Sequence, residues 1–180
     1  MHATAIVLDA FGRVHELLPV ALEGLTREDL LWRPDSGANS IAWLAWHLAR
    51  VEDDHLSGVA GTEQLWTSRG WWDRFRLPYP PRSVGYGQRP DDVGAFVLDD
   101  PALLTGYYSA VHARTVEIVS ALGDEDWDRV VDRRWDPPVT VAVRIVSVIN
   151  DVTQHVGQIG YVRGLLERAS GRDSGWKGHA

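Results

Sequence analysis

The 180-residue chain contains no cysteine. Disulfides, a protein thiol nucleophile and a thiolate-ligated zinc are thereby excluded. Any metal must be held by nitrogen and oxygen, and any thiol chemistry must use a thiol that a ligand brings. Lysine is almost absent as well: Lys177 is the only one, and the formal net charge is −7. An acidic chain without a dense Lys/Arg cluster repels a phosphate backbone, which argues against nucleic acid as a partner. No apolar stretch reaches the roughly 18 residues that a membrane span needs, and Arg144 interrupts the most apolar segment. Met1 to Arg13 lacks a basic start and Asp9 breaks its apolar run, so it does not read as a secretory signal. A cytoplasmic protein without a membrane partner is expected.

What is present is ordinary for a globular protein: 44% hydrophobic and 24% charged residues. This length suits one domain, and folding can bury roughly 70% of the unfolded chain's surface without a staple. The domain is expected over 1–170, followed by a flexible tail over 171–180. Nine tryptophans stand out. They are read either as core and loop packing or, for Trp66, Trp71 and Trp72, as the lining of an aromatic pocket.

Four segments carry helical periodicity. The first runs from Thr4 to Leu22, with Ile6, Ala10, Val14, Leu17, Leu18 and Ala21 on one face. A short stretch from Thr26 to Leu31 has the capping pattern of Thr26 with Asp29. The second runs from Ser40 to Val59, the third from Pro101 to Leu122. Between them, Gly61 to Asp99 is rich in proline and glycine and reads as irregular, with a short helical piece around Asp91 to Phe96. Val139 to Ile145 alternates in β-branched residues like a strand. Over the longer window the three- and four-residue steps win, and the spacing predicts one helix from Thr140 to Glu167. Gly157, Gly160 and Gly164 lie inside it, each costing about 1 kcal/mol against alanine; close approach of a neighbouring helix is the expected compensation. The whole reads as an all-α four-helix bundle with a long irregular connection between its second and third helices.

Histidines carry the candidate chemistry. His47 sits among apolar neighbours on the second helix, so it is either a core histidine satisfied by a hydrogen bond or a metal ligand. Asp151 and His155 lie four apart on the fourth helix, on one face. They are either a helix-supporting pair or two ligands of one ion. Together, one ligand from the second helix and two from the fourth would form a facial set with open positions, suited to Zn, Ni, Fe or Mn. His55 is eight residues from His47, about 12 Å along the axis, too far to share the ion. With Glu52, Asp53 and Asp54 it either lines the mouth of the site or belongs to a solvated polar end. His112 points into the cavity or sits on a polar face, and His15 has similar status. Arg163 and Tyr161 meet an anionic ligand or are surface residues.

The block Leu31-Trp32-Arg33-Pro34 through Gly37-Ala38-Asn39-Ser40-Ile41-Ala42-Trp43-Leu44-Ala45-Trp46-His47-Leu48-Ala49-Arg50 resembles the DinB superfamily, as does Asp151 to Gly164 with its His155-Val156-Gly157-Gln158 core. The resemblance spans nearly the whole chain. It implies a four-helix bundle and one divalent metal, commonly Zn or Ni, on three histidines: one on the second helix and two, four apart, on the last. His47 matches the first and His155 the last, while Asp151 stands where the family usually has its middle histidine. Carboxylate oxygen also ligates zinc. Characterised relatives implied by the resemblance include bacillithiol and mycothiol S-transferases and the mycothiol-dependent maleylpyruvate isomerase, and bundles of this kind often form homodimers.

Three functions follow as expectations. In the first, the chain is a metal-dependent transferase or isomerase that joins a small electrophile and a low-molecular-weight thiol, with the Trp66–Trp72 loop, Trp71 in it, and Arg163 contacting these ligands. In the second it is a non-catalytic bundle that binds a metal or a small molecule. In the third it is a metal-dependent hydrolase with His55 or His112 as general base.

Overall fold

The computed structural model describes residues 3–172. Helix α1 spans Ala3–Leu22, α2 Arg27–Leu31 and α3 Ile41–Ala60; the short helices α4 (Leu65–Ser68), α5 (Trp71–Phe75) and α6 (Pro90–Gly94) follow, then α7 (Ala102–Ser120) and α8 (Val141–Ser170). Strands β1 (Val130–Asp132) and β2 (Val139–Thr140) pair antiparallel just before α8. The chain is thus predominantly helical. Of its four long helices, α3 packs against α7 and α8, and α1 packs against the same two.

The helix ends follow local chemistry. Thr26 and Asp29 form the reciprocal cap of α2, with Asp29 N donating to Thr26 Oγ1 at 3.2 Å and Thr26 N donating to Asp29 Oδ2 at 3.0 Å. Ser40 Oγ accepts from Trp43 N at 3.2 Å, and Thr140 Oγ1 accepts from Val143 N at 3.4 Å. At the other end of α3, Gly61 takes the left-handed conformation that terminates a helix, with φ of 66°. The core is built from the faces read in the sequence: Phe11, Leu18, Leu44, Leu48, Tyr107, Ile145, Val152 and Ile159 are all buried.

Helix α3 is buried on almost every side, because the 61–99 connection covers the face that α7 and α8 leave open. Its polar residues therefore need protein partners, since a buried charge without them is costly. Arg50 donates to Ser83 O (3.2 Å), Tyr107 Oη (3.2 Å) and Gln64 Oε1 (2.8 Å). Asp53 accepts from Leu65 N (2.9 Å), Trp66 N (2.8 Å) and Tyr107 Oη (2.8 Å). Arg50 and Asp53 lie 3.6 Å apart. The pair holds the connection onto α3.

Four expectations change. The connection is less irregular than expected: besides the short helix expected around Asp91 to Phe96, which is α6, it forms α4 and α5, whose few residues are too short to show a period. The strand-like alternation ahead of α8 is a real strand at its first two residues, which pair with β1 before Thr140 caps the helix. Gly157 and Gly164 are not approached by another helix; a Cβ at Gly157 would meet nothing within 4 Å, and at Gly164 only Arg168 of the same helix. Of the expected tail, Gly171 caps α8 and Arg172 is held by Asp29 (2.9 Å from Nη1 to Oδ2); the remainder, 173–180, lies outside the described residues. No helix among the described residues is long and apolar enough to cross a membrane.

Candidate metal centre

His47 lies in the middle of α3, buried, with its ring stacked on Trp43 one turn earlier at 4.7 Å between centroids. The indole is itself fixed, its Nε1 donating to Gln88 Oε1 at 2.8 Å. His47 Nδ1 donates to the carbonyl of Val84. That bond places the proton on Nδ1 and leaves the Nε2 lone pair free. Burial pushes the His47 pKa below its usual value, partly offset by the bond to Val84. The neutral ring is the form that binds metals.

Asp151 and His155 face it from α8. The His47 and His155 rings meet edge-on, 4.6 Å between centroids and 82° between planes. His155 Nδ1 donates to Gln158 Oε1 at 2.8 Å, so here too Nε2 is the free nitrogen. It stands 3.7 Å from Asp151 Oδ1. One ligand atom from each of the three residues lies within 4.8 Å of the others. Metal–ligand bonds of 2.0–2.2 Å at tetrahedral angles put donors roughly 3.4 Å apart, so a modest contraction brings the set onto one ion.

Asp151 Oδ1 decides whether these residues fit a cation. It is buried and has no hydrogen-bond partner. A carboxylate oxygen left so is costly unless a positive charge completes it. Two imidazoles offering Nε2 and one carboxylate oxygen needing a cation suit a borderline divalent ion. The His155 and Asp151 side chains keep 16% and 35% of their surface exposed, so the far side of the cluster stays open to a small ligand.

A DinB superfamily model matches residues 10–159. The chain belongs to the DinB superfamily. The crystal structure of a conserved protein of locus from Enterococcus faecalis is similar to it at 31% identity with a TM-score of 0.87, covering 92% of this chain and 98% of that one. No curated protein matches the chain. Superfamily membership agrees with a metal-binding helical protein, and the cluster of His47, Asp151 and His155 is where this member would bind one.

Other residues of this DinB-superfamily chain singled out from the sequence lie around that cluster or apart from it. His55 is two turns beyond His47 on α3. Burial and then the charge of Arg144 push its pKa down, opposed by Asp54 and Asp151. His55 lines a cavity together with Arg144 of α8. His112 stacks on His15 at 4.2 Å, between α7 and α1. Burial and His15 push it down to about 4. Trp71 packs on Tyr107 and under Arg74, and lines a separate cavity with Arg69 and Arg114. Arg163 is buried and donates to the carbonyls of Val20 and Ala21 at the end of α1, and to Glu167. Trp66 is core, packed against Trp46, Phe75 and Tyr107.

Sequence reasoning missed Val84 and Gly85, which orient His47 from the long connection. Gly85 has φ of +93°, and a Cβ there would lie 2.8 Å from His47 Nδ1 and 2.9 Å from Trp43. Only glycine both adopts that backbone and leaves room for the ring. The signal present was the Gly85-Tyr86-Gly87 spacing after Pro80 and Pro81, which marks a turn without saying what the turn touches.

Proposed function

We propose that this chain is a divalent-metal-dependent S-transferase or isomerase that uses a low-molecular-weight thiol of the mycothiol type, with the ion, Zn or Ni before Fe or Mn, held by His47, Asp151 and His155 in a DinB-like four-helix bundle. The observation that carries the reading is the unpartnered, buried Asp151 Oδ1 facing two imidazoles whose Nδ1 atoms are already engaged. A divalent ion supplies Lewis acidity that lowers the pKa of a thiol joining it.

The chain's own residues account for the rest. It has no cysteine to compete with the incoming thiol. Val84 and Gln158 hold the two rings with Nε2 forward, and Trp43 keeps His47 from turning. The thiol's proton leaves to solvent on the open side of the cluster; burial and the charge of Arg144 disfavour the charged form of His55, but two turns along α3 it is too far to take that proton directly. The sulfur–carbon bond then forms at the electrophile. In a transfer a leaving group departs, and in an isomerisation the thiol is released again.

Elemental mass spectrometry of the purified protein tests the first half. About one divalent ion per chain, lost in His47→Ala, is the expected result; no ion after incubation with Zn, Ni, Mn or Fe(II) refutes it. Conjugation of mycothiol to an aryl chloride, abolished by a chelator and restored by the metal, tests the second half. A metal-dependent hydrolase is the second reading. The open side of the cluster favours it, since His155 and Asp151 keep part of their side chains exposed and a water could take that position. Ester hydrolysis without thiol would select it.

A further inference from the structure

The chain carries net charge −7, yet a cavity of about 450 Å³, further along α3 than the triad, is lined by three arginines. It opens between α3, the β1–β2 connection and the start of α8, with His55, Arg144, Arg133 and Arg134 on its walls together with Asp54 and Asp132. Cations outnumber carboxylates there, and both carboxylates are already engaged. Asp132 accepts from Arg134 Nε (3.0 Å), Arg134 Nη2 (2.8 Å) and Arg144 Nη2 (3.1 Å). Asp54 accepts from Gln64 Nε2 at 2.5 Å and lies 3.5 Å from His55 Nδ1.

The guanidinium donors are not used up in the same way. Arg144 is largely buried at 18% side-chain exposure, and only its Nη2 makes a bond to Asp132. Nε and Nη1 remain for a ligand. Arg133 forms no ion pair among the described residues and is exposed. A largely buried guanidinium with Nε and Nη1 unspent can donate charge-assisted bonds to a carboxylate or phosphate. The cavity's volume lies within the range of small-molecule sites.

Its position links it to the triad. His47 faces His155 while His55, eight residues on, shares the cavity with Arg144, eleven residues back, so α3 and α8 run antiparallel along this seam. The two sites are about 12 Å apart along α3. A molecule with an acidic group at one end and a reacting centre at the other spans that distance.

We infer that this cavity is an anion subsite, in which Arg144 and Arg133 bind the carboxylate or phosphate group of the small molecule handled at the triad. That role rests on the proposed function; the binding itself does not. Amide NMR shifts of the isotope-labelled full chain, titrated separately with inorganic phosphate and with succinate, test it. Saturable binding of at least one probe is expected, and which one binds tells phosphate from carboxylate. Arg144→Gln and Arg133→Gln should each weaken binding about tenfold, the loss of one charge-assisted bond. Because Arg133 is exposed, its variant stays informative if Arg144→Gln folds poorly. His47→Ala should leave binding unchanged. Undiminished affinity in both arginine variants, no saturable shift with either probe, or a loss confined to His47→Ala overturns the inference. Metal content is measured on the same samples: anion binding by a chain that takes up no metal upholds the subsite and refutes the proposed function.

Discussion

Glu52 offers a quantitative test of how α3 is buried. Its side chain is fully enclosed between α3 and α7, where Thr115 Oγ1 donates to Oε1 at 2.7 Å and Tyr108 Oη donates to Oε2 at 3.2 Å. No cation is among its partners in the described residues. Burial pushes the carboxyl from its ordinary 4.5 up to about 7, against those two bonds. The folded state therefore holds a proton that the unfolded chain releases above pH 4.5. Between those values the native state binds more protons, so stability from this group is fully present below about pH 4.5 and is lost as the pH rises toward 7. Glu52→Gln keeps the shape and cannot ionise. Its stability relative to wild type should grow by about 2–3 kcal/mol between pH 5 and pH 8, at 1.36 kcal/mol per pH unit between the two pKa values. In urea unfolding that is a relative midpoint gain of roughly 1 M. His47, His55 and His112 have depressed pKa values and contribute the opposite slope in this region, but they are common to both proteins and cancel in the difference. A variant-minus-wild-type difference that stays flat from pH 5 to 8 would refute the reasoning and mean that Glu52 has an ionic partner or reaches water.

Three further outcomes are expected. Gly85→Ala forces a left-handed alanine against His47 and Trp43; thermal unfolding should show a loss of about 1–3 kcal/mol, and the metal content should fall with it. Asp53→Ala leaves Arg50 buried without its counter-charge and frees the first turn of α4; chemical denaturation should report about 3–5 kcal/mol of destabilisation. Asp151→His restores the histidine usual in the family, and chelator competition should show tighter Zn and Ni binding, because imidazole suits both better than carboxylate does; weaker binding would mean that the Asp151 oxygen, and not merely its position, completes the site.

Much of this protein was legible along the chain. The periods of α1, α3, α7 and α8, the caps at Thr26, Ser40 and Thr140, and the stop at Gly61 are local facts, set by side-chain spacing and by which residues can satisfy a helix end. His47, Asp151 and His155 were legible for the same reason: a four-residue step on a helix puts two ligands on one face whatever surrounds them. The meaning of Glu52, Asp53 and Asp54 was not. They read as a polar end of α3, and two of them are buried, because burial depends on the 61–99 connection folding back over that face.

By itself, then, the order of residues determined the helices, the absence of a thiolate from the protein and the three candidate ligands. Tertiary structure alone decided which nitrogen of His47 is left free toward Asp151 and His155, since that depends on Val84 reaching His47 from thirty-seven residues away. It also decided that Arg163 closes the end of α1, and that Arg144 and Arg133 share a cavity with His55. The reason is range. Helical periodicity and capping act within one turn, whereas a hydrogen bond to a distant carbonyl or a shared cavity exists only once packing has brought remote segments together.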